Sequence, residues 1–442
     1  MGTRRKEVRM KRVVLVLLVG CFILSCGTGW AGKPEETGKP EETGKPEKTG
    51  KALGKEKHFS MGGSIGAVGL NGQMYYRIAL QPVLKFGKLK AGLNLKLDWN
   101  DTEGIKPYTV EDWVNLVLFI QWAEKGEKPL YFRLGDLQSA TLGHGFIVNR
   151  YSNMTPKAYN NGWRNIGLEF DLNMDKWGFE SIFNNILGPN LCGIRGYVKP
   201  LKLADSEIPI LNELALGVSY ATDVETGVYV DTYTNLPEKN VQIIGADLDL
   251  PILDGWLIYF FDIAHILNHG DGWATGFMGG KDFNFLSLAY KFEYRNLGSD
   301  FLPRFFDNYY EFSKPKLVQS PSDVRYNGWY GELNFSILKA VGILISYEDS
   351  FKGASKIEGN PRLHGTLILN ENLFAITNQR ISVSAEYDHK NFDRGRAEDI
   401  AIQGKFLYGV SQNVDIIYVY TQRYTSDGNP IRSTSIETKL HF

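Results

Sequence analysis

The chain has 442 residues, 43% of them hydrophobic and 13% aromatic, with 49 Lys and Arg against 50 Asp and Glu. A net charge of −1 without a basic patch gives nucleic acid no electrostatic footprint. Beyond the amino-terminal segment no stretch approaches the roughly 20 apolar residues that a spanning helix needs, which excludes transmembrane helices.

The amino terminus reads as an export signal. Arg4, Arg5, Lys6, Arg9, Lys11 and Arg12 precede an uncharged, mostly apolar run at 13–24 that is too short to cross a bilayer as a helix. Two processing sites fit. Gly29 and Ala31 supply small side chains for cleavage after Ala31, and the residues up to Cys26 resemble a lipoprotein box in which Cys26 is acylated. Residues 1–31 are taken as the signal peptide, and by either route the mature chain leaves the cytoplasm. Cys192 is then the one cysteine of the body, so neither a disulfide framework nor a CxxC metal site is expected. Residues 32–57 begin with three near-copies of GKPEET and carry no aliphatic side chain before Ala52. They cannot bury a core and read as a solvated, disordered periplasmic tether.

From residue 58 to 442 the dominant pattern has period two. Leu89, Ala91, Leu93, Leu95, Leu97 and Trp99 alternate with Lys90, Gly92, Asn94, Lys96 and Asp98, and Ile166, Leu168, Phe170 and Leu172 alternate with Gly167, Glu169, Asp171 and Asn173. The runs at 286–295, 380–388 and 399–408 repeat it. Many consecutive strands with whole polar faces are easier to accommodate when the apolar faces meet lipid. Connection lengths alternate as well. Tight ones fall near 87, 123–129, 175–177, 251–255, 339–340 and 409–411, and longer ones near 100–110, 137–164, 223–240, 267–284, 352–360 and 425–429. Trp99, Trp122, Trp177, Trp256, Trp329, Tyr347 and Tyr418 lie mostly toward strand ends on the apolar parity, where interfacial girdles need them.

The last residues alternate again, with Thr434, Ile436, Thr438, Leu440 and Phe442 on one side and Ser435, Glu437, Lys439 and His441 on the other. An aromatic terminus on such a strand resembles the closing strand of bacterial outer-membrane β-barrels, with Leu440 and Phe442 as the assembly signal and Glu437 where Gly is usual. The resemblance is to porin-like barrels. It implies an all-β fold, a transmembrane antiparallel up-and-down β-barrel of about 18 strands within a range of about 16 to 20. Segmentation gives about twenty strands, of which those near 190–199 and 305–312 are weak. The resemblance also implies both termini in the periplasm, outer-membrane lipid and the barrel-assembly machinery as partners, and a homotrimer as a common assembly.

A barrel of this width cannot be filled by its own wall, and the tether cannot fold into a plug, so a loop must do any constricting. The segment 137–164 is the candidate. It has bends at Gly143, Gly145, Pro156 and Gly162, apolar Phe146, Ile147, Val148 and Met154 to bury, and charge at His144, Arg150, Lys157 and Arg164. The expected pore-lining and constriction residues are Arg77, Lys96, His144, Arg150, Glu169, Asp171, Asp247 and Asp249. Two arrangements are open to the charges: opposed basic and acidic arcs that set up a transverse field, or pairing along the wall.

Catalytic chemistry has no foothold. His265 and His269 lack the Glu of HExxH, and there is neither a GxSxG nor a phosphate-binding glycine loop. We therefore expect neither an enzyme nor a cofactor or metal. The expected function is a channel for passive diffusion of small hydrophilic solutes. A substrate-selective transporter and a structural or adhesive envelope barrel are the alternatives.

Overall fold

A computed structural model describes residues 59–442 apart from 71–72, 107–112, 114–115, 156–163, 226–228, 231–236, 239, 254, 299, 313, 315–324, 352–358, 372, 375–378, 397–398, 412, 424–430 and 441–442. The proposed signal peptide and tether, with His441 and Phe442, lie outside the described residues.

The chain runs up and down as one antiparallel sheet. Its first quarter comprises β1 (Phe59–Leu70), β2 (Gln73–Phe86), β3 (Leu89–Leu93 and Leu95–Asn100, interrupted at Asn94), β4 (Val117–Trp122) and β5 (Leu130–Gly135). Then come β6 (Gly167–Asn173), β7 (Trp177–Phe183), β8 (Leu191–Val198), β9 (Ala215–Asp223) and β10 (Val241–Leu253). The third group is β11 (Leu257–Ile266), β12 (Asp271–Asp282), β13 (Leu286–Gly298), β14 (Arg325–Ile337) and β15 (Val341–Ser350). The last is β16 (Arg362–Leu369), β17 (Ile381–His389), β18 (Ile400–Ser411), β19 (Val414–Arg423) and β20 (Ile431–Leu440). Each strand pairs with its chain neighbour, and β20 returns to β1 through Ser64↔Lys439 and Ile65↔Thr438. The fold is an all-β up-and-down barrel of twenty described strands, at the upper bound of the expected range.

One parity of each strand faces out. Tyr76, Leu97, Val218, Ile263, Phe292, Trp329, Ile345, Phe406 and Tyr418 all lie on it and are exposed. Aromatic groups sit near both ends of this face. Trp256 meets Phe283 and Tyr290 beside the turns at 254–256 and 283–285, while Trp273, Tyr294 and Phe351 meet at the opposite end. Tyr and Trp rings suit the boundary between apolar and wet surroundings, which accounts for their places at strand ends.

The connections divide between two rims. One carries 101–116, 136–166, 224–240, 299–324 and 351–361, and the other has mostly tight turns at 87–88, 174–176, 254–256, 283–285 and 338–340. The expected long loop at 267–284 is corrected: β12 occupies most of it and leaves short connections on either side. Its alternation is muted because the inner positions Gly272, Ala274 and Gly276 are small. The stretch 305–312 is not a strand but a compact turn-rich segment inside the barrel.

Candidate functional site

Two loops from the same rim fold into the barrel and pack on each other. The first follows β5. Ala140 pairs with Tyr151 across a short antiparallel bridge, and Asn153 closes the loop by accepting from the Leu137 N–H at 2.8 Å and ties it to the wall by donating to the Gly135 carbonyl at 3.2 Å. The second follows β13. Val148 of the first loop and Phe306 of the second form a parallel bridge, the Arg304 N–H donates to the Phe146 carbonyl at 2.7 Å, and the Asn149 N–H donates to the Phe306 carbonyl at 3.0 Å.

The cause is apolar burial. Leu137, Phe146, Val148 and Tyr151 of the first loop join Phe301, Phe305, Phe306 and Tyr310 of the second in one buried cluster. Its other side is the inner wall, where Ile182, Leu191, Ala221, Ile243, Ala264 and Ala274 face the loops. The wall makes room with glycines. A Cβ at Gly193 would stand 2.7 Å from the Leu142 side chain, one at Gly245 would stand 2.7 Å from Ile147, and one at Gly272 would stand 2.5 Å from the Phe301 ring. Phe306 has no exposed surface, and its ring lies 5.0 Å from Phe305 and 4.8 Å from Tyr310.

Polar anchors then fix the plug to the wall on several sides. His144 is buried and its Nδ1 lies 3.0 Å from Asp262 on β11, while its Nε2 is 3.8 Å from Asp249 on β10, beyond direct hydrogen-bonding distance. Burial opposes charge on the imidazole, but the carboxylates of Asp262 and Asp249 outweigh it and raise its pKa to about 9. Lys291 on β13 donates to the His144 carbonyl at 2.6 Å, and Arg150 reaches Glu332 on β14 at 2.6 Å. In the second loop Tyr310 donates to Asp223 on β9 at 2.7 Å, and Tyr309 donates to Glu386 on β17 at 2.8 Å. Asp307 accepts from Arg362 on β16 at 3.0 Å, and Arg304 pairs with Glu348 on β15. Glu311 is held by the Tyr151 hydroxyl, and burial raises its carboxyl above the usual range. Together the loops touch the inner face from β6 to β19, where Ala401 on β18 packs with Tyr309 and the Arg423 guanidinium on β19 lies 5.5 Å from the Tyr309 ring centre.

The other expected site residues form local pairs. Arg77 on β2 donates twice to Asp98 on β3, at 2.6 and 2.7 Å. Glu169 on β6 is buried against Lys125 and accepts from Tyr131 at 3.1 Å, and Asp171 lies two residues further along the same face. Arg195 on β8 donates to both oxygens of Asp247 at 2.8 and 2.6 Å, and to Glu180 at 2.7 Å. Lys96 sits on β3 on the parity of Asp98. Arg77, Glu169 and Asp247 are thus paired along the wall, Arg77 with the adjacent strand and Asp247 with Arg195 across the intervening β9. Of the eight expected residues, the structure brings His144 and Asp249 near one another and sets Arg150 apart on Glu332. The second loop was not foreseen. Its signal is FLPRFFDNYYEF at 301–312, an apolar, non-alternating run between two strands, the same signature that marked 137–164.

No family model and no curated protein matches the chain. Similar solved structures include a BenF-like porin from Pseudomonas fluorescens Pf-5, with 8% identity over 87% of this chain and 97% of that one and a TM-score of 0.35. OpdL of Pseudomonas aeruginosa has 11% identity over 87% of this chain and 96% of that one, with a TM-score of 0.34. OccAB4 of Acinetobacter baumannii has 9% identity over 87% and 97%, also with a TM-score of 0.34.

Proposed function

We propose that the chain is an outer-membrane channel for small hydrophilic solutes, with the two-loop plug as its constriction. The carrying observation is the exposed apolar outer face of the strands around an inner face that carries ion pairs and, among the described residues, two inserted loops packed on its apolar part. Exposed Leu, Ile, Val and aromatic side chains around the barrel suit a hydrocarbon belt, and a wet interior suits polar cargo. A barrel of this strand number is wider than its wall side chains fill, so what passes is set by the gap that the plug leaves. Arg77, Lys96, His144, Arg150, Glu169, Asp171, Asp247 and Asp249 are the residues assigned to the lumen and its constriction. On this reading the tight-turn rim and both termini face the periplasm, Leu440 and Phe442 address the chain to the barrel-assembly machinery, and assembly as a trimer is consistent with the width. Neither catalysis nor a cofactor enters.

The anchoring of the plug on strands from both halves of the barrel favours a selective conduit over a wide general pore. Planar-bilayer recording tests the first reading. Purified full-length protein that inserts without opening a stable conducting path would sink it. Liposome swelling with graded sugars, amino acids and dicarboxylates tests selectivity: ranking by size alone would reject it.

A further inference from the structure

The connection between β8 and β9, at 199–214, departs from the tight turns of its rim. It begins with a single helical turn, Pro200–Leu203, and ends with a 3-10 turn, Leu211–Glu213. Between them Ile208, Pro209, Ile210 and Leu211 form a continuous exposed apolar run, with Ile208 50%, Ile210 48% and Leu211 43% accessible, and Leu203 on the preceding turn 54%. Four consecutive apolar residues facing water are not tolerated without a function. The backbone bears the same mark. Ile210 has φ 66° and ψ −57°, and the Leu211 N–H donates to the Pro209 carbonyl at 2.7 Å, which is the rare γ-turn that a β-branched residue adopts only under constraint.

Polar pairs hold the ends of the elbow. Lys199 and Lys202 both donate to Glu213, at 2.7 and 2.6 Å, and Lys202 also donates to Asp175 at 3.0 Å. The strand that follows opens with Leu216 and Val218, both exposed on the outer face. The apolar run is therefore continuous with the belt assigned to lipid, at the end of the barrel where that belt meets water.

We propose that residues 203–211 form a membrane-interface anchor, in which Leu203, Ile208, Ile210 and Leu211 enter the bilayer surface beside β9. The proposal rests on the reading of the outer face as lipid-exposed. Its ligand is the phospholipid interface, where an apolar side chain reaches the acyl region while the paired lysines and carboxylates stay among the headgroups. A second copy of the chain or a water-soluble partner would cover the same residues differently, and the test separates them.

The full chain, with Cys21, Cys26 and Cys192 replaced by Ser, is reconstituted in phosphatidylglycerol and phosphatidylethanolamine vesicles with a nitroxide at Ile210→Cys, Leu211→Cys, Val218→Cys or Glu207→Cys. Collision with oxygen and with a water-soluble nickel chelate gives the depth of each label. The expected result places labels 210 and 211 on the oxygen-accessible side with Val218, roughly 5–10 Å into the headgroup and acyl boundary, and label 207 in water. Labels 210 and 211 accessible to nickel while 218 is not would overturn the anchor and leave the barrel reading intact. Labels 210 and 211 shielded from both probes would overturn it in favour of a protein partner. Nickel access at 218 would instead sink the lipid-facing belt, and the anchor with it.

Discussion

Replacing Phe306 by Ala perturbs the plug at the point where its two loops join. The ring is fully buried, stacks edge-on against Phe305 and Tyr310, and its backbone carries the bridge to Val148. A Phe to Ala truncation in such packing costs about 3–5 kcal/mol. The strands keep their ladders, so the loss falls on docking of the second loop, and the undocked population rises roughly 10²- to 4 × 10³-fold. Single-channel recording should then show frequent excursions to a larger conductance. Heat-modifiable gel migration should stay unchanged, because barrel pairing is untouched. Limited proteolysis supplies the control, with faster cutting within 299–314. A variant whose loop is cut readily while its conductance and noise equal those of the parent would refute the assignment of this loop to the constriction.

His144 predicts a pH dependence. Its pKa is lifted from the ordinary 6.5 to about 9, so the charged imidazole stabilises the docked loop fully below about pH 6.5, and that contribution, of order 3 kcal/mol, is lost as pH rises through about 9. Channel noise should grow between pH 7 and 10, and His144→Gln should remove the trend. Gly272→Ala places a methyl against the Phe301 ring and Leu297 and should cost about 1–3 kcal/mol of plug seating, read as raised conductance with normal barrel yield. Deleting Phe442 should lower the yield of heat-modifiable barrel in cells, whereas Glu437→Gln should leave the yield intact and shift the reversal potential in a salt gradient.

The barrel was legible because a strand with one apolar and one polar face must alternate, as Leu89 to Trp99 do without exception. Alternation faded where the inner face stops meeting water. At β12 the inner residues Gly272 and Ala274 are small beside Phe301 and the plug cluster, Gly276 is small because a Cβ there would strike the β13 backbone at Phe292, and period two gave way to what reads as a loop. The first inserted loop announced itself by apolar residues that a surface loop has no reason to carry. The second carried the same message in Phe301, Phe305, Phe306, Tyr309 and Tyr310, but lying between two well-patterned strands it reads as one more strand with poor alternation. The charges were visible one by one, and their pairing was not. Arg195 with Asp247 spans two strands, and His144 with Asp262 joins a loop to β11, so both depend on registers that sequence spacing leaves free.

The return of β20 to β1 differs from every other ladder in the sheet. All the others join strands that follow one another along the chain, and each can form as its hairpin forms. This one joins residues at opposite ends of the body, Ser64 with Lys439, and rests on two described residue pairs. Bringing such distant ends together costs about 5 kcal/mol of chain entropy by loop-closure scaling, a debt settled in one step and repaid over a short seam. The wall that holds the plug, β6 to β19, does not include that seam, so plug and wall can assemble as a curved open sheet before the ring is drawn shut. If the barrel ever parts sideways, in assembly or in lipid, it parts between its first strand and its last.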